Sequence, residues 1–373
     1  MDKPQTTIEQ HFSCLTEPRE ANRRHKLLDI ITIALCAVIC GCDGWSQIEL
    51  FGQTKEEWFK TFLELPHGTP SDDTFARVFA AIDPLEFQEA FVGWVQVIQT
   101  LTKGEIVAID GKTLRRSHNR KSGKKPIHMV SAWASENRMV LGQVKTDEKS
   151  NEITAIPQLI KILDLKGCIV TIDAMGCQKN IARQIIEQDA DYILALKGNQ
   201  GLLHEDIQLF FEDAAQSDFK NIDYTYLETI DGDHGRIETR RYRCTSEIDW
   251  LSEKDSWVGL RTVIMVERER DVNDEISIET SYYISSLGDE PEKLADAVRR
   301  HWGIENSLHW VLDIAFREDE SRIRKDNAPE NMAVLRHMAL NMLKKEDSKR
   351  ISIKSKRLKA GWDNAFLAKI INS

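Results

Sequence analysis

The chain has 373 residues, 41% of them hydrophobic and 29% charged, an ordinary balance that leaves room for two or three domains and a sizeable core. Fifty Lys and Arg oppose 60 Asp and Glu, a formal charge of −10, which excludes coating of nucleic acid by net charge alone. Any anionic partner must be held by local patches.

The start, MDKPQTTIEQHF, lacks the basic stretch and apolar run of a signal peptide. The most apolar segment, Ile30 to Cys42, is shorter than the roughly 20 residues of a membrane helix and reads as a buried helix. An intracellular, cytoplasmic chain without membrane contact is the expectation. The seven cysteines are an odd number without paired CxxC motifs, so neither disulfides nor structural zinc is expected. Cys36, Cys40 and Cys42 read as small buried hydrophobes.

Residues 26 to about 102 have helical spacing, carried first by Leu27, Leu28, Ile31, Leu35, Val38 and Ile39. Ser71 is the expected N-cap of a helix with Asp72 and Asp73 in its first turn. Residues 1–103 therefore read as a helical domain and a candidate for DNA binding. Thr69–Ala81 reads either as a helix-turn-helix or as ordinary helix packing.

At Glu105 the pattern changes. Ile106 to Ile109 form an apolar run ending in Asp110-Gly111, as a buried strand ending at a sharp turn would. Candidate strands His128–Ala134 and Met139–Lys145 follow as a hairpin, and Ile153–Leu163 is helical. Cys168–Ile172 repeats the first arrangement by ending in Asp173, with a helix from Asn180 to Gln188 after it. Tyr192–Leu196 is a further core strand, running into Lys197. Strands alternating with helices imply an α/β sheet.

Period-two patterning then takes over, in Ile222, Tyr224 and Tyr226 and again in Ile276, Ile278, Thr280 and Tyr282, which suggests an all-β insertion at about 200–290. Helical spacing resumes after Pro291, through His301–Ala315 and Met332–Leu343. Residues 346–373 read as a basic C-terminal tail.

Asp110 and Asp173 each end an apolar strand, so adjacent strands would bring both carboxylates to one sheet edge. Like charges there repel unless a cation sits between them, and hard oxygen ligands favour Mg2+ or Mn2+ over zinc. Taken singly, each Asp is as readily a turn cap. His301, Glu305, His309 and Asp313 are spaced by four, one polar column among Trp302, Ile304, Leu308, Trp310, Val311, Leu312 and Ile314. A polar column facing a core needs a partner.

Seven cations, Lys112, Arg115, Arg116, Arg120, Lys121, Lys124 and Lys125, lie between Gly111 and His128 without an acid. Arg236, Arg240, Arg241 and Arg243 crowd another segment. Such runs beside a carboxylate pair suit a phosphate backbone. Paired metal ions about 4 Å apart activate an attacking oxygen and stabilise a leaving one, which points to phosphodiester chemistry by a nuclease or a strand transferase.

At these residues the chain resembles the DDE transposases of bacterial insertion sequences, particularly the H-repeat-associated proteins. The stretches that carry the resemblance run nearly end to end: Pro70-Ser-Asp-Asp-Thr-Phe-Ala-Arg-Val-Phe79, Ile109-Asp-Gly-Lys-Thr-Leu-Arg115, Thr171-Ile-Asp-Ala-Met-Gly176, Leu196-Lys-Gly-Asn199, His234-Gly-Arg-Ile-Glu-Thr-Arg240 and His301-Trp-Gly-Ile-Glu-Asn-Ser-Leu-His-Trp310. The resemblance implies a ribonuclease-H-like catalytic core over 104–345, interrupted by the β insertion, with Asp110, Asp173 and Glu305 as a metal-binding triad for two Mg2+ or Mn2+ ions. It also implies cutting of double-stranded DNA at the element's ends, attack of the freed 3′-hydroxyl on target DNA, and a homodimer on DNA.

Lys112, Arg115, Arg116, Lys197, Arg236, Arg240 and His301 are the expected DNA contacts. Better-known relatives with the β insertion carry Tyr and Arg before the glutamate and Lys after it. Here Val298, His301 and Leu312 stand there, so the hairpin route tied to that signature does not follow. The other readings are a metal-dependent nuclease without strand transfer, a DNA-binding descendant without catalysis, and a zinc hydrolase built on His301 and His309.

Overall fold

Thirteen residues of almost unbroken apolar character, Leu27 to Ile39, make the second helix, and eleven of them are buried. A helix apolar all round has to lie inside a larger body. In the computed structural model, which describes residues 7–20, 23–98, 101–118, 125–146, 151–233, 236–272, 275–348 and 350–372, that body is built from both ends of the chain. The N-terminal helices are α1 (Thr7–Phe12), α2 (Leu27–Ile39), α3 (Trp45–Thr54), α4 (Glu56–Phe59), α5 (Asp72–Ala81) and α6 (Pro84–Ile98). Ser71 caps α5 by position, but its hydroxyl pairs with that of Thr74 at 3.1 Å. The stretch 69–81 thus holds one helix rather than a helix-turn-helix, and Phe75, Val78 and Phe79 commit its inner face to the core.

The strands β1 (Ile106–Thr113), β2 (His128–Ala134) and β3 (Met139–Lys145) form an antiparallel meander. After α7 (Glu152–Ile162) the chain lays β4 (Ile169–Ile172) parallel to β1, and after α8 (Lys179–Glu187) it lays β5 (Asp191–Leu196) parallel to β4. Crossing helices between parallel strands are what parallel pairing requires. Then come α9 (Gly201–Gln216), β6 (Thr225–Asp233), β7 (Arg236–Thr245), β8 (Thr262–Val272) and β9 (Glu275–Ser285). Residues 200–290 are therefore not all-β, since α9 precedes the strands. Its buried residues Leu203, Ile207, Phe211 and Ala214 recur at helical spacing.

The late strands are not a separate sheet either. β9 pairs antiparallel with β5, giving one nine-stranded sheet in the order β3-β2-β1-β4-β5-β9-β8-β7-β6.

The remaining helices are α10 (Pro291–His301), α11 (Trp310–Phe316), α12 (Ala328–Lys345), α13 (Ile353–Trp362) and α14 (Asn364–Ile371). Helix α10 covers one face of the sheet, where Leu294, Ala297 and Val298 pack with Ile106, Ile169 and Ile193. Helices α7, α8 and α12 lie with the N-terminal helices in the main core. Asn331 of α12 donates to the carbonyls of Phe79 and Ile82, tying the two helical groups together.

The expected basic tail is instead two packed helices. Lys356 and Arg357 are buried, with Lys356 donating to the carbonyl of Leu343 and Arg357 to that of Val38. Buried cations need such partners. Among the described residues no helix is long and apolar enough to cross a membrane.

Candidate metal centre

The parallel register of β1 and β4 sets Ile106 beside Ile169 and Ile109 beside Ile172. Side chains alternate along a strand, so Asp110 shares the α10 face with Ile106, and Asp173 shares it with Ile169 and Thr171. Asp110 is not at a strand end as expected, because β1 runs on to Thr113 against β2; it stands just past the last β1–β4 pair, beside Asp173 just beyond β4, on the same side of the sheet. Asp173 also caps a turn, its Oδ1 accepting from the amides of Met175 at 3.1 Å and Gly176 at 3.4 Å. Capping and site membership coexist in one residue.

Glu305 is delivered from above by an irregular helix. After α10 the chain makes a π-turn over Glu305–His309 before α11, a wide turn of the kind that gathers at functional sites. The column of four polar residues reaches three different strand positions. His301 Nδ1 lies 3.0 Å from Thr171 Oγ1, His309 Nδ1 lies 2.9 Å from Glu305 Oε2 and 3.7 Å from Asp110 Oδ2, and Asp313 meets Lys112 at 2.5 Å. Its apolar surround is mixed: Ile304, Leu308 and Leu312 are buried, whereas Trp302, Trp310 and Ile314 are more than half exposed.

Two groups of ligand atoms form, each with all members within 4.8 Å of one another. One is Asp110, Glu305 and His309, and the other is Asp110, Glu152 and Asp173. Asp110 belongs to both. Burial, together with the negative charges of Glu152, Asp173 and Glu305, pushes its carboxyl up to about 7. Burial and Glu152 raise Asp173 as well. Burial lowers His309, so its ring is neutral at pH 7 and donates from Nδ1 to the Glu305 carboxylate. Concentrated, half-buried carboxylate oxygens of this kind suit a hard divalent cation, which would relieve the repulsion.

Glu152 escaped the sequence reading. It is the first residue of α7, a place where an acid needs no explanation beyond the helix dipole. Only the sheet order, which puts the start of α7 against the end of β1, reveals it.

A model of the transposase DDE domain matches residues 101–342, and a model of its associated N-terminal region, DDE_Tnp_1-associated, matches residues 9–95. The chain belongs to the DDE transposase family. It is 42% identical over 368 residues to "Putative transposase YncI" of Escherichia coli O157:H7, covering 97% of this chain and 94% of that one. It is 38% identical to "H repeat-associated putative transposase YhhI" of Escherichia coli strain K12, with 97% of both chains covered. A solved piggyBac transposase synaptic complex with hairpin DNA aligns at 12% identity and a TM-score of 0.42, over 98% of this chain and 78% of that one. Divalent metal use goes with the family, and the donor set of this transposase fits it.

A cleft of about 740 Å³ opens over the transposase's carboxylates, lined by Asp110, Asp173, Glu305 and, from the late strands, Arg236, Arg240, Arg268 and Arg270. Lys197 stands exposed at the end of β5 in the same cleft, and its charge acts to lower Asp173. Arg236 is half exposed, but Arg240 is 7% exposed and already paired with Asp231 and Glu238, each at 2.6 Å. Arg240 is therefore a structural cation more than a free phosphate contact.

Lys112 corrects the sequence reading outright, because it is turned inward to Asp313 and to Glu318 at 3.0 Å. Arg115 is exposed beside Asp319, and Arg116 is exposed. Arg120, Lys121, Lys124 and His234 lie outside the described residues. Burial lowers His301 to about 4, so it offers the cleft a neutral imidazole and no charge. His301 and His309 have separate partners, and the described residues give the zinc reading no shared site.

Proposed function

We propose that this transposase cuts double-stranded DNA at the ends of an insertion-sequence-like element and joins the freed 3′-hydroxyls to target DNA, using Asp110, Asp173 and Glu305 to hold two divalent ions, Mg2+ or Mn2+. The observation that carries the proposal is the convergence of these three carboxylates, from within β1, from the end of β4 and from a π-turn, into two ligand groups that share Asp110. On this reading β1 to β5, in the order β3-β2-β1-β4-β5, are a ribonuclease-H-like core, and β6 to β9 are the insertion before the glutamate.

When bound, the ion pair supplies activation of the attacking oxygen and relief of charge on the leaving oxygen. The chain's own residues do the rest. Asp110, which belongs to both ligand groups, Asp173 and Glu305 would hold the ions, and His309 fixes the Glu305 rotamer through its Nδ1–H. Lys197 and Arg236 hold the phosphate backbone across the cleft, with His301 adding an uncharged hydrogen bond. Arg115 and Arg116 extend the basic surface beside β1. Pairing of two element ends calls for two copies of the chain, so a homodimer forms on DNA.

The test is incubation of a DNA fragment spanning the gene and its native flanks with Mg2+ or Mn2+ and either wild type or Asp173→Asn. Cuts at defined flanking positions, absent from the variant although it still binds DNA, are the expected result. Joining of cut 3′ ends to a second DNA separates a transposase from a nuclease. Absence of metal-dependent cutting by folded, DNA-binding wild type would overturn the catalytic reading in favour of a non-catalytic descendant.

A further inference from the structure

Gly111 follows Asp110 in β1, and its backbone gives no reason for a glycine, because it is not among the residues with positive φ. The reason lies across the sheet. A Cβ on Gly111 would stand 2.1 Å from Glu152 Oε1 and 2.3 Å from His128 Nε2, distances that no side chain tolerates. The missing methyl is the space through which Glu152 reaches Asp110.

Glu152 is held there by a relay. His128 Nε2 lies 2.7 Å from Glu152 Oε1, His128 Nδ1 lies 2.8 Å from Thr113 Oγ1, and Thr113 and His128 are direct partners in the β1–β2 register. An acid present only to favour a helix start would point to solvent. The Glu152 side chain is 17% exposed, and Asn151 already caps α7 by accepting from the Ile153 amide. One Glu152 oxygen lies within 4.8 Å of ligand atoms of both Asp110 and Asp173. A carboxylate pressed against two others is costly unless an ion joins them.

We propose that Glu152 is a fourth carboxylate of the metal centre, sharing an ion with Asp110 and Asp173, and that His128 and Thr113 are positioning residues that aim it. The role rests on the metal-centre reading above and adds to it a ligand outside the Asp110, Asp173 and Glu305 triad. His128 acts as an outer-shell partner, orienting the carboxylate as such partners orient metal ligands.

The experiment is Mn2+ binding to the full chain without DNA, by calorimetry and by the electron paramagnetic resonance of free and bound Mn2+, with melting in EDTA as the folding control. Glu152→Gln, which keeps size and hydrogen bonding, is expected to weaken Mn2+ binding about 10- to 100-fold without lowering the EDTA melting temperature. Gly111→Ala, which leaves every ligand chemically intact, is expected to weaken it similarly by displacing Glu152. His128→Ala is expected to cost about tenfold, with recovery in His128→Gln, whose amide still donates to the carboxylate. Wild-type Mn2+ affinity and stoichiometry in Glu152→Gln, alongside weakened binding in Asp173→Asn, would overturn this inference alone. Unchanged binding in Asp110→Asn and Asp173→Asn as well would overturn the metal centre with it.

Discussion

Asp110 concentrates the electrostatic cost of the site in one residue. Its folded carboxyl is raised from 3.8 to about 7 by burial and then by its acidic neighbours. Between those values the folded, metal-free protein holds a proton that the unfolded chain has released. This contribution to stability is therefore full at the acid end and is lost as the pH rises through about 7. Wild type melted in EDTA is expected to lose stability relative to Asp110→Asn over that window, and Mn2+ is expected to restore it most strongly above about pH 7.

Lys112, two residues along the same strand, has the opposite character. Burial pushes the Glu318 carboxyl up, but Lys112 and Arg336 outweigh it and hold it at about 2. Lys112→Ala would leave Glu318 buried with Arg336, at 3.5 Å, as its remaining ion-pair partner among the described residues, so a loss of about 3–5 kcal/mol is expected in chemical denaturation. The exposed Arg115→Ala is expected to lose no more than about 0.5 kcal/mol. A Lys112→Ala variant that is as stable as wild type but binds DNA weakly would restore the phosphate-contact reading.

At the scale of elements, the ribbon β6–β9 shows how alternation sorts charge. By register, Arg236, Glu238, Arg240, Arg268 and Arg270 share the face turned to the cleft, whereas Arg241 sits on the other face among Glu228, Glu267 and Glu269. Counterion release makes DNA affinity fall with salt in proportion to the phosphates neutralised. Anisotropy titrations across a salt series are expected to show a slope shallower by about 0.9 for each of Arg236→Ala and Arg270→Ala, and unchanged for Arg241→Ala. Equal slopes for all three would exclude the ribbon from the DNA path. Ile276 and Ile278 signal their strand, β9, correctly, yet they are more than 60% exposed at its outer end.

At the scale of the molecule, the first and last helices close one core. Helix α12 packs on α2, and Arg357 of α13 ties α2 by its bond to Val38, while Lys356 and Lys369 ion-pair with Glu346 at 3.2 and 2.9 Å. Truncation before Ile353 strips α13 and α14 from apolar α2 and leaves Glu346 buried without its cations. Such a chain is expected to be insoluble or to unfold without a cooperative transition, as calorimetry would show. Cooperative melting of the truncated protein would mean that these helices are an appendage after all.

Strand and helix identities were legible because apolar periodicity is local. The ends of β2 and β3 fall where the pattern places them, and Asp110 and Asp173 stand out because an acid closing an apolar run is itself a local signal. Glu305 was legible too, as part of a polar column in an apolar helix. What the sequence left open depended on which distant residues meet. Glu152 at a helix start, Lys112 and Arg240 among other cations, and Arg357 in a basic run look alike in one dimension. Whether such a charge faces solvent, DNA, an opposite charge or a metal is decided by burial and by the partner brought to it, and both exist only once the sheet order and the helix packing are set.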